Sequence, residues 1–244
     1  AAVAVQRTSL EPGSCDGGRP NLLLAHRSAF PLVRAMRFIL RSLFTSVLAF
    51  SSPVHAANWP EWRGPNGQGH AEGPGYPQTW SESLNVAWRV NIPGRGWSSP
   101  VIWGNQIWVT TAIEIATSPD REKERLRSNT GGQPLTLLDE VRLHAVCLDR
   151  ASGKPLHNIE LHRERDPQWV HKLNSYASPT PVIEKGRLYC HFGTFGTFCV
   201  DTAAARVLWK NTGLHLMHEN GPGSSIVLWQ NLAIFQGDGS DVQF

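Results

Sequence analysis

The chain has 244 residues, 41% of them hydrophobic and 18% charged, a balance that excludes wholesale disorder and a collagen-like repeat. Gly (22) and Pro (17) are frequent; both break helices, so a long helical bundle is disfavoured and many short strands joined by turns are favoured. The formal net charge of +3 is unevenly placed: six of the 23 basic residues are Arg within residues 1–56, against only Glu11 and Asp16, which leaves 17 basic and 18 acidic side chains beyond and no electrostatic footprint for DNA or RNA.

Residues 1–35 begin with Ala, lack clear periodicity and precede a complete leader, so they are expected to be a non-native upstream extension or disordered, with Met36 as the true start. Residues 36–56 read as a secretory signal peptide. Arg37 and Arg41 form the positive n-region, residues 43–50 a short apolar core, and Val54 and Ala56 sit at −3 and −1 of a cleavage point. The core is shorter than the roughly 20 residues that span a bilayer, so no membrane span is expected. No Cys lies near the cleavage point to accept a lipid anchor. The mature protein is expected in the periplasm or outside the cell after cleavage near Ala56. Cys147, Cys190 and Cys199 remain beyond the leader, an odd set with no Cys-x-x-Cys and no Cys/His metal spacing.

Residues 57–244 are organised by internal repeats. Pro100-Val-Ile-Trp-Gly-Asn-Gln-Ile-Trp-Val109 aligns without gaps on Pro181-Val-Ile-Glu-Lys-Gly-Arg-Leu-Tyr-Cys190, and that copy on Ile226-Val-Leu-Trp-Gln-Asn-Leu-Ala-Ile-Phe235. Each reads as a β-hairpin with apolar arms and a two-residue turn. A second unit, Ala145-Val-Cys-Leu-Asp-Arg-Ala-Ser-Gly-Lys-Pro-Leu-His157, aligns on Thr197-Phe-Cys-Val-Asp-Thr-Ala-Ala-Ala-Arg-Val-Leu-Trp209, again strand, turn and strand ending in a large ring. Val86-Ala-Trp88 is similar to the end of that unit and is expected to be an outer strand. Two hairpins make four strands in about 45 residues, the size of one propeller blade. Residues 114–142, rich in mixed charge and flanked by Gly and Pro, are expected to be an inserted solvated loop. Gly153 suits the tight turn of the second unit, and Ala205 marks a degenerate copy.

These units resemble the quinoprotein-type, or PQQ-like, β-propeller repeat. Ala145, Leu148, Asp149, Ser152, Gly153 and Lys154 match its blade pattern, with His157 where Trp is usual; the next copy keeps Asp201 and Trp209. The opening Asn58-Trp-Pro-Glu-Trp-Arg-Gly-Pro-Asn-Gly67, with Tyr176-Ala-Ser-Pro-Thr-Pro-Val182 and His191-Phe-Gly-Thr-Phe-Gly196, is similar to a secreted bacterial group abundant in planctomycetes. The resemblance implies an all-β fold: a partial β-propeller of about four 4-stranded antiparallel blades, an N-terminal fragment of a seven- or eight-bladed ring.

Catalytic members of that family stack a quinone on a Trp and a vicinal Cys–Cys disulfide, hold Ca²⁺ with Glu, Asn and Asp, and use an Asp base. This chain has no adjacent Cys pair. Glu219 and Asn220 place oxygen donors together on a loop, and Asp238 and Asp241 lie in Gly-Asp-Gly-Ser-Asp, which suggests a base or a metal site; hydrogen-bonding turns are the favoured reading of both. The segments before each hairpin, 94–99, 172–177 and 218–223, are expected to converge on one face as the binding rim. The candidate cofactor or ligand residues are therefore Trp97, Asn174, Tyr176, Glu219, Asn220 and Asp238. No catalytic residue and no metal ligand is assigned. Trp59 and Trp62 with Arg63 either stack on a ligand or seal the opening segment to a blade. The expected function is a non-catalytic binding or scaffold module for a protein or polymer of the cell envelope. The alternative is a PQQ-dependent alcohol or polyol dehydrogenase with PQQ and calcium; a third reading, carbohydrate binding through exposed Trp, rests on the ten Trp alone.

Overall fold

The computed structural model describes residues 3–7, 58–73, 76–129 and 131–243. The predicted signal peptide (36–56), and the upstream segment apart from 3–7, lie outside the described residues. In chain order the strands are β1 (Val3–Arg7), β2 (Val101–Trp103), β3 (Gln106–Ala116), β4 (Leu135–Thr136), β5 (Leu138–Asp149), β6 (Pro155–Arg165), β7 (Val170–His171), β8 (Val182–Glu184), β9 (Arg187–His191), β10 (Thr197–Asp201), β11 (Arg206–Asn211), β12 (Val227–Trp229) and β13 (Leu232–Gln236). One α-helix, α1 (Pro119–Arg125), follows β3.

The fold is all-β and every described strand pair is antiparallel. Two sheets have four strands, β2-β3-β5-β6 and β8-β9-β10-β11. A third has three, β12-β13-β1, and β4 and β7 form a two-stranded ribbon. The expected four equal sheets are thus reduced, among the described residues, to two full ones, a shorter third and a ribbon. In the third, the place next to the hairpin that β5 and β10 take elsewhere is filled by β1.

The predicted repeats are paired as the alignments require. Gly104, Lys185 and Gln230 hold equivalent hairpin-turn positions and share positive φ, 59°, 48° and 54°, the twist that two-residue hairpins need. In the second unit, Asp149 accepts from the backbone N–H of Ser152 (2.8 Å), and Asp201 from those of Ala203 and Ala204 (both 2.9 Å). Gly153 and Ala205 follow with φ of 70° and 50°. Ala205 therefore keeps the left-handed turn that its lack of Gly was expected to degrade, because the Asp201 carboxylate ties the turn from below.

Both alternate sets of side chains on β8, β9 and β10 are buried, whereas the edge strand β11 buries none. Ile183, Leu188, Cys190, Phe198 and Val200 face a core shared with Val101, Trp108 and Cys147 of the first sheet. Val182, Tyr189 and Cys199 face a second core with Ala233 and Phe235 of the third. Equivalent residues (Val101 and Val182, Trp108 and Tyr189, Cys147 and Cys199) thus each face the next sheet in sequence. Each Cys sits in register between two rings: Trp108 and His157 flank Cys147, and Tyr189 and Trp209 flank Cys199. Both ring pairs have centroids 6.2 Å apart. A small apolar side chain is what the gap beneath two rings admits; a larger one would overpack it. The described cysteines, Cys147, Cys190 and Cys199, are free, and the two equivalent ones lie in separate cores.

The inserted stretch 114–142 is shorter as a loop than expected. β3 and β5 pair as far as Ala116 and Leu138, and Leu135, Leu137, Leu138 and Val141 are buried. Only the charged part behaves as a solvated loop: α1 buries no residue, begins at Pro119 and is capped by the Ser118 hydroxyl. Residues 86–88 form no strand. Instead the Trp88 ring lies on the second-unit turn of the first sheet, where a Cβ on Gly153 would come 2.5 Å from Trp88 Cδ2, and its Nε1 donates to the Arg150 carbonyl (3.0 Å).

The opening motif seals onto the first two hairpins. Trp59 exchanges backbone bonds with Ile102 (2.9 and 2.8 Å), and the Pro60 carbonyl accepts from Ile183 N–H (2.8 Å). Ile102 and Ile183 are equivalent, so one extended segment ties equivalent strands of neighbouring sheets. Replacing Ala205 by Gly relieves a left-handed alanine costing about 1–2 kcal/mol, offset by about 0.5–1 kcal/mol of Gly chain entropy. Thermal unfolding should show Ala205→Gly more stable than the wild type by about 0.5–1 kcal/mol and Gly153→Ala, which strikes Trp88, less stable by about 2–4 kcal/mol.

Candidate functional site

The three predicted rim segments are stitched to one another. Arg95 Nη2 donates to the carbonyls of Lys172 (2.5 Å) and Asn174 (2.6 Å), and Trp97 N–H to Ala177 O (3.1 Å). Asn174 Nδ2 donates to Asn220 O (2.8 Å). Ser99 N–H donates to the Thr180 hydroxyl (3.0 Å) and Thr180 N–H to the Ser225 hydroxyl (3.0 Å). Ser99, Thr180 and Ser225 are spaced by 81 and 45 residues, the offsets of the hairpin repeat, so one contact recurs at equivalent points. Gly-Arg-Gly-Trp (94–97) shows why this sequence is used. A Cβ would lie 2.8 Å from Thr111 Oγ1 at Gly94 and 2.7 Å from Thr110 O at Gly96, so only glycines let this loop lie flat on β3, with Arg95 clamping the next rim and Trp97 facing solvent.

Three of the six predicted residues meet in one recess. Glu219, Asn220 and Asp238 line a cavity of about 460 Å³ with His218, Ser240 and Gln243. A neighbouring cavity of about 350 Å³ shares His218 and Asp238 and adds His191, Ser224 and Gln236. Asp238 is held by Gln236 Nε2 (2.6 Å). Asp241 accepts from the backbone of Met217 (2.7 Å) and Val242 (2.9 Å), contacts that keep its carboxyl below the usual range; it closes the turn.

His218 is the central group of the recess. Its Nε2 lies 3.2 Å from the Trp169 carbonyl, which fixes the proton on Nε2 and leaves Nδ1 as an acceptor. Nδ1 is buried and has no hydrogen-bond partner among the described residues. Burial pushes the imidazole down to about 4, so it is neutral at pH 7. His191 is also buried. Its Nδ1 pairs with the Thr197 hydroxyl (2.9 Å), its ring stacks on Phe235 at 4.0 Å, and burial pushes it down to about 3. The carboxylates of Glu219 and Asp238, which line the recess, can accept hydrogen bonds from a ligand's hydroxyl or N–H groups.

The other three predicted residues lie elsewhere. Tyr176 is fully buried, donates to Gln168 O (2.8 Å) and packs on Phe195: it is a core residue, and burial raises its phenol. Asn174 is a clasp, its amide oxygen accepting from Ser175 N–H (2.8 Å) and the Ser178 hydroxyl (2.5 Å) while its nitrogen holds Asn220 O. Trp97 is 57% exposed and lines a separate cleft with Glu61 and Trp62. The sequence reading missed His218 and Glu61 as site residues. His218 lay within a predicted rim loop, but its burial has no signature in the residue order.

The residues named for a PQQ–calcium site are not brought together: among the described residues no group of three or more His, Cys, Asp or Glu is placed to hold a metal ion, and the exposed Trp97 ring opens on a different cleft from Glu219, Asn220 and Asp238. The described cysteine thiols are buried; burial pushes Cys147 up to about 12 and Cys199 up to about 11, which makes them poor nucleophiles. No helix among the described residues is long and apolar enough to cross a membrane. No protein-family model matches the chain, and comparison with curated proteins finds no match.

Both histidines are neutral in the fold and titrate near 6.5 when unfolded. The unfolded chain therefore gains protons first as the pH falls, and their stabilisation, complete above pH 6.5, is lost on the way down to about pH 4 for His218 and about pH 3 for His191. Urea midpoints should drop across this window, by up to about 1.4 kcal/mol per pH unit for each ring, and His191→Gln should flatten the acid limb by about half.

Proposed function

We propose that residues 58–243 form part of a PQQ-like β-propeller that serves as a non-catalytic binding or scaffold module, secreted to the periplasm or beyond and engaging a polymer or protein of the cell envelope. One observation carries this reading: the recurring amide-to-hydroxyl contact Ser99–Thr180–Ser225. Contacts repeated at hairpin offsets, with equivalent residues facing the next sheet, are what radial stacking around an axis requires. Radial stacking brings the rim loops to one face, and there the recess around His218 and the cleft around Trp97 both open. Their lining groups are suited to hydrogen bonding and ring stacking; none is activated as a nucleophile.

The alternative, a PQQ-dependent alcohol or polyol dehydrogenase, requires that the chain take up quinone and reduce a dye. With PQQ and Ca²⁺ added at saturation, the purified protein should show no bound-quinone absorbance and no dye reduction with alcohols or polyols. Quinone uptake with turnover would replace the binding-module reading by the enzyme.

A further inference from the structure

Two tryptophans expose large apolar surface at one opening. Trp62 is 51% and Trp97 57% exposed, and both line a cleft of about 460 Å³, a size that suits a small ligand or a stretch of polymer. Neither ring dangles. Trp62 follows the segment that Trp59 and Pro60 bind to β2 and β8, and Arg63 Cζ sits 4.3 Å from the Trp62 ring centroid. Trp97 is held through its own N–H on Ala177 O and by Arg95, whose Cζ lies 5.5 Å from the ring centroid while its Nη2 is bound by two carbonyls. The ordering entropy of both platforms is therefore already met by the fold, which is how preorganised sites gain affinity.

The rest of the lining combines four hydroxyls and one carboxyl with Gly223, Ile226 and Val227. Ser99, Thr180 and Ser225 face the cleft with Glu61. The oxygens of Thr180 and Ser225 already accept backbone N–H groups, so what these hydroxyls have left to offer is a donor proton, the half-buried Ser225 more openly than the buried Thr180. Glu61 supplies an acceptor. No Lys, Arg or His is among the residues lining the cleft; Arg63 and Arg95 lie on its rings, Arg95 engaged by two carbonyls, and the lining itself carries only the Glu61 carboxyl, which disfavours a phosphate or a uronate.

We propose that the Trp62–Trp97 cleft binds a neutral saccharide, stacking the apolar face of a sugar ring on an indole and hydrogen-bonding its hydroxyls to Ser99, Thr180, Ser225 and Glu61. A sugar ring has one face of C–H groups and an edge of hydroxyls, which matches flat rings above a floor of donors and an acceptor. This rests on the binding-module reading and names its ligand class. A proline-rich peptide also stacks on indoles but offers carbonyl acceptors and few donors, leaving Glu61 without a partner.

The test is native affinity electrophoresis of the purified chain through gels containing hydroxyethylcellulose, laminarin or galactomannan, with alginate and poly-L-proline gels alongside, followed by titration calorimetry with oligosaccharides of the retarding polymer. At least one neutral polysaccharide should retard the protein. Trp97→Ala and Trp62→Ala should each weaken binding by about tenfold or more with an unchanged melting temperature. Trp80→Ala, which removes a ring that is 72% exposed and outside the cleft, should bind as the wild type does. Retardation by no neutral polymer, by alginate or poly-L-proline alone, or undiminished in the Trp62/Trp97 double variant would overturn the proposal. Those results leave the module reading intact, whereas dye reduction by quinone-loaded protein would overturn the module reading without touching the electrophoresis.

Discussion

Strands β8, β9 and β10 are buried on both faces, and the packing of the neighbouring sheets answers to that constraint. A strand with one wet face alternates apolar and polar residues. Here both alternate sets, Leu188, Cys190, Phe198 and Val200 on one side and Tyr189 and Cys199 on the other, are apolar and enter different cores. Each such side chain adds about 1.5–3 kcal/mol only if a neighbouring sheet covers it. The sheet therefore stands only between two partners. The ring–cysteine–ring layers set how closely the partners approach, since a small side chain under two rings leaves the next sheet room to pack.

The rim follows from the same packing. When sheets stack with equivalent residues facing the same way, the loops before their first strands come together, and their backbone groups must find partners. Ser99, Thr180 and Ser225 meet that need with hydroxyls, while Arg95 and Asn174 meet it with a guanidinium and an amide. A rim tied in this way is held where it is bonded and leaves the indoles of the cleft exposed. The two buried histidines of the rim recess, His191 and His218, are neutral at pH 7 because burial disfavours their charged form.

Several features were legible from residue order because they are local. The hairpin turns at 104, 185 and 230, and the Asp149 and Asp201 turns, depend on a few consecutive residues and one side-chain cap. Features that depend on distant partners were not. The stretch 114–142 looked like a solvated loop because its charges are dense, yet its ends extend two strands, since pairing with Leu143 or Arg142 costs nothing that a charge on the opposite face would forbid. Trp88 resembled an outer strand by sequence, but its ring covers Gly153, a contact across 65 positions of chain. Tyr176 was grouped with the rim and proved to be core.

The sequence by itself determined the all-β class, the repeat spacing and the turn chemistry, because alternation, glycines and capping carboxylates act within a few residues. Only the tertiary structure decided which residues line the recess and the cleft. Burial of His218 and exposure of Trp62 and Trp97 depend on how sheets and loops far apart in the chain lie against one another, and neighbouring residues in the sequence carry no record of that.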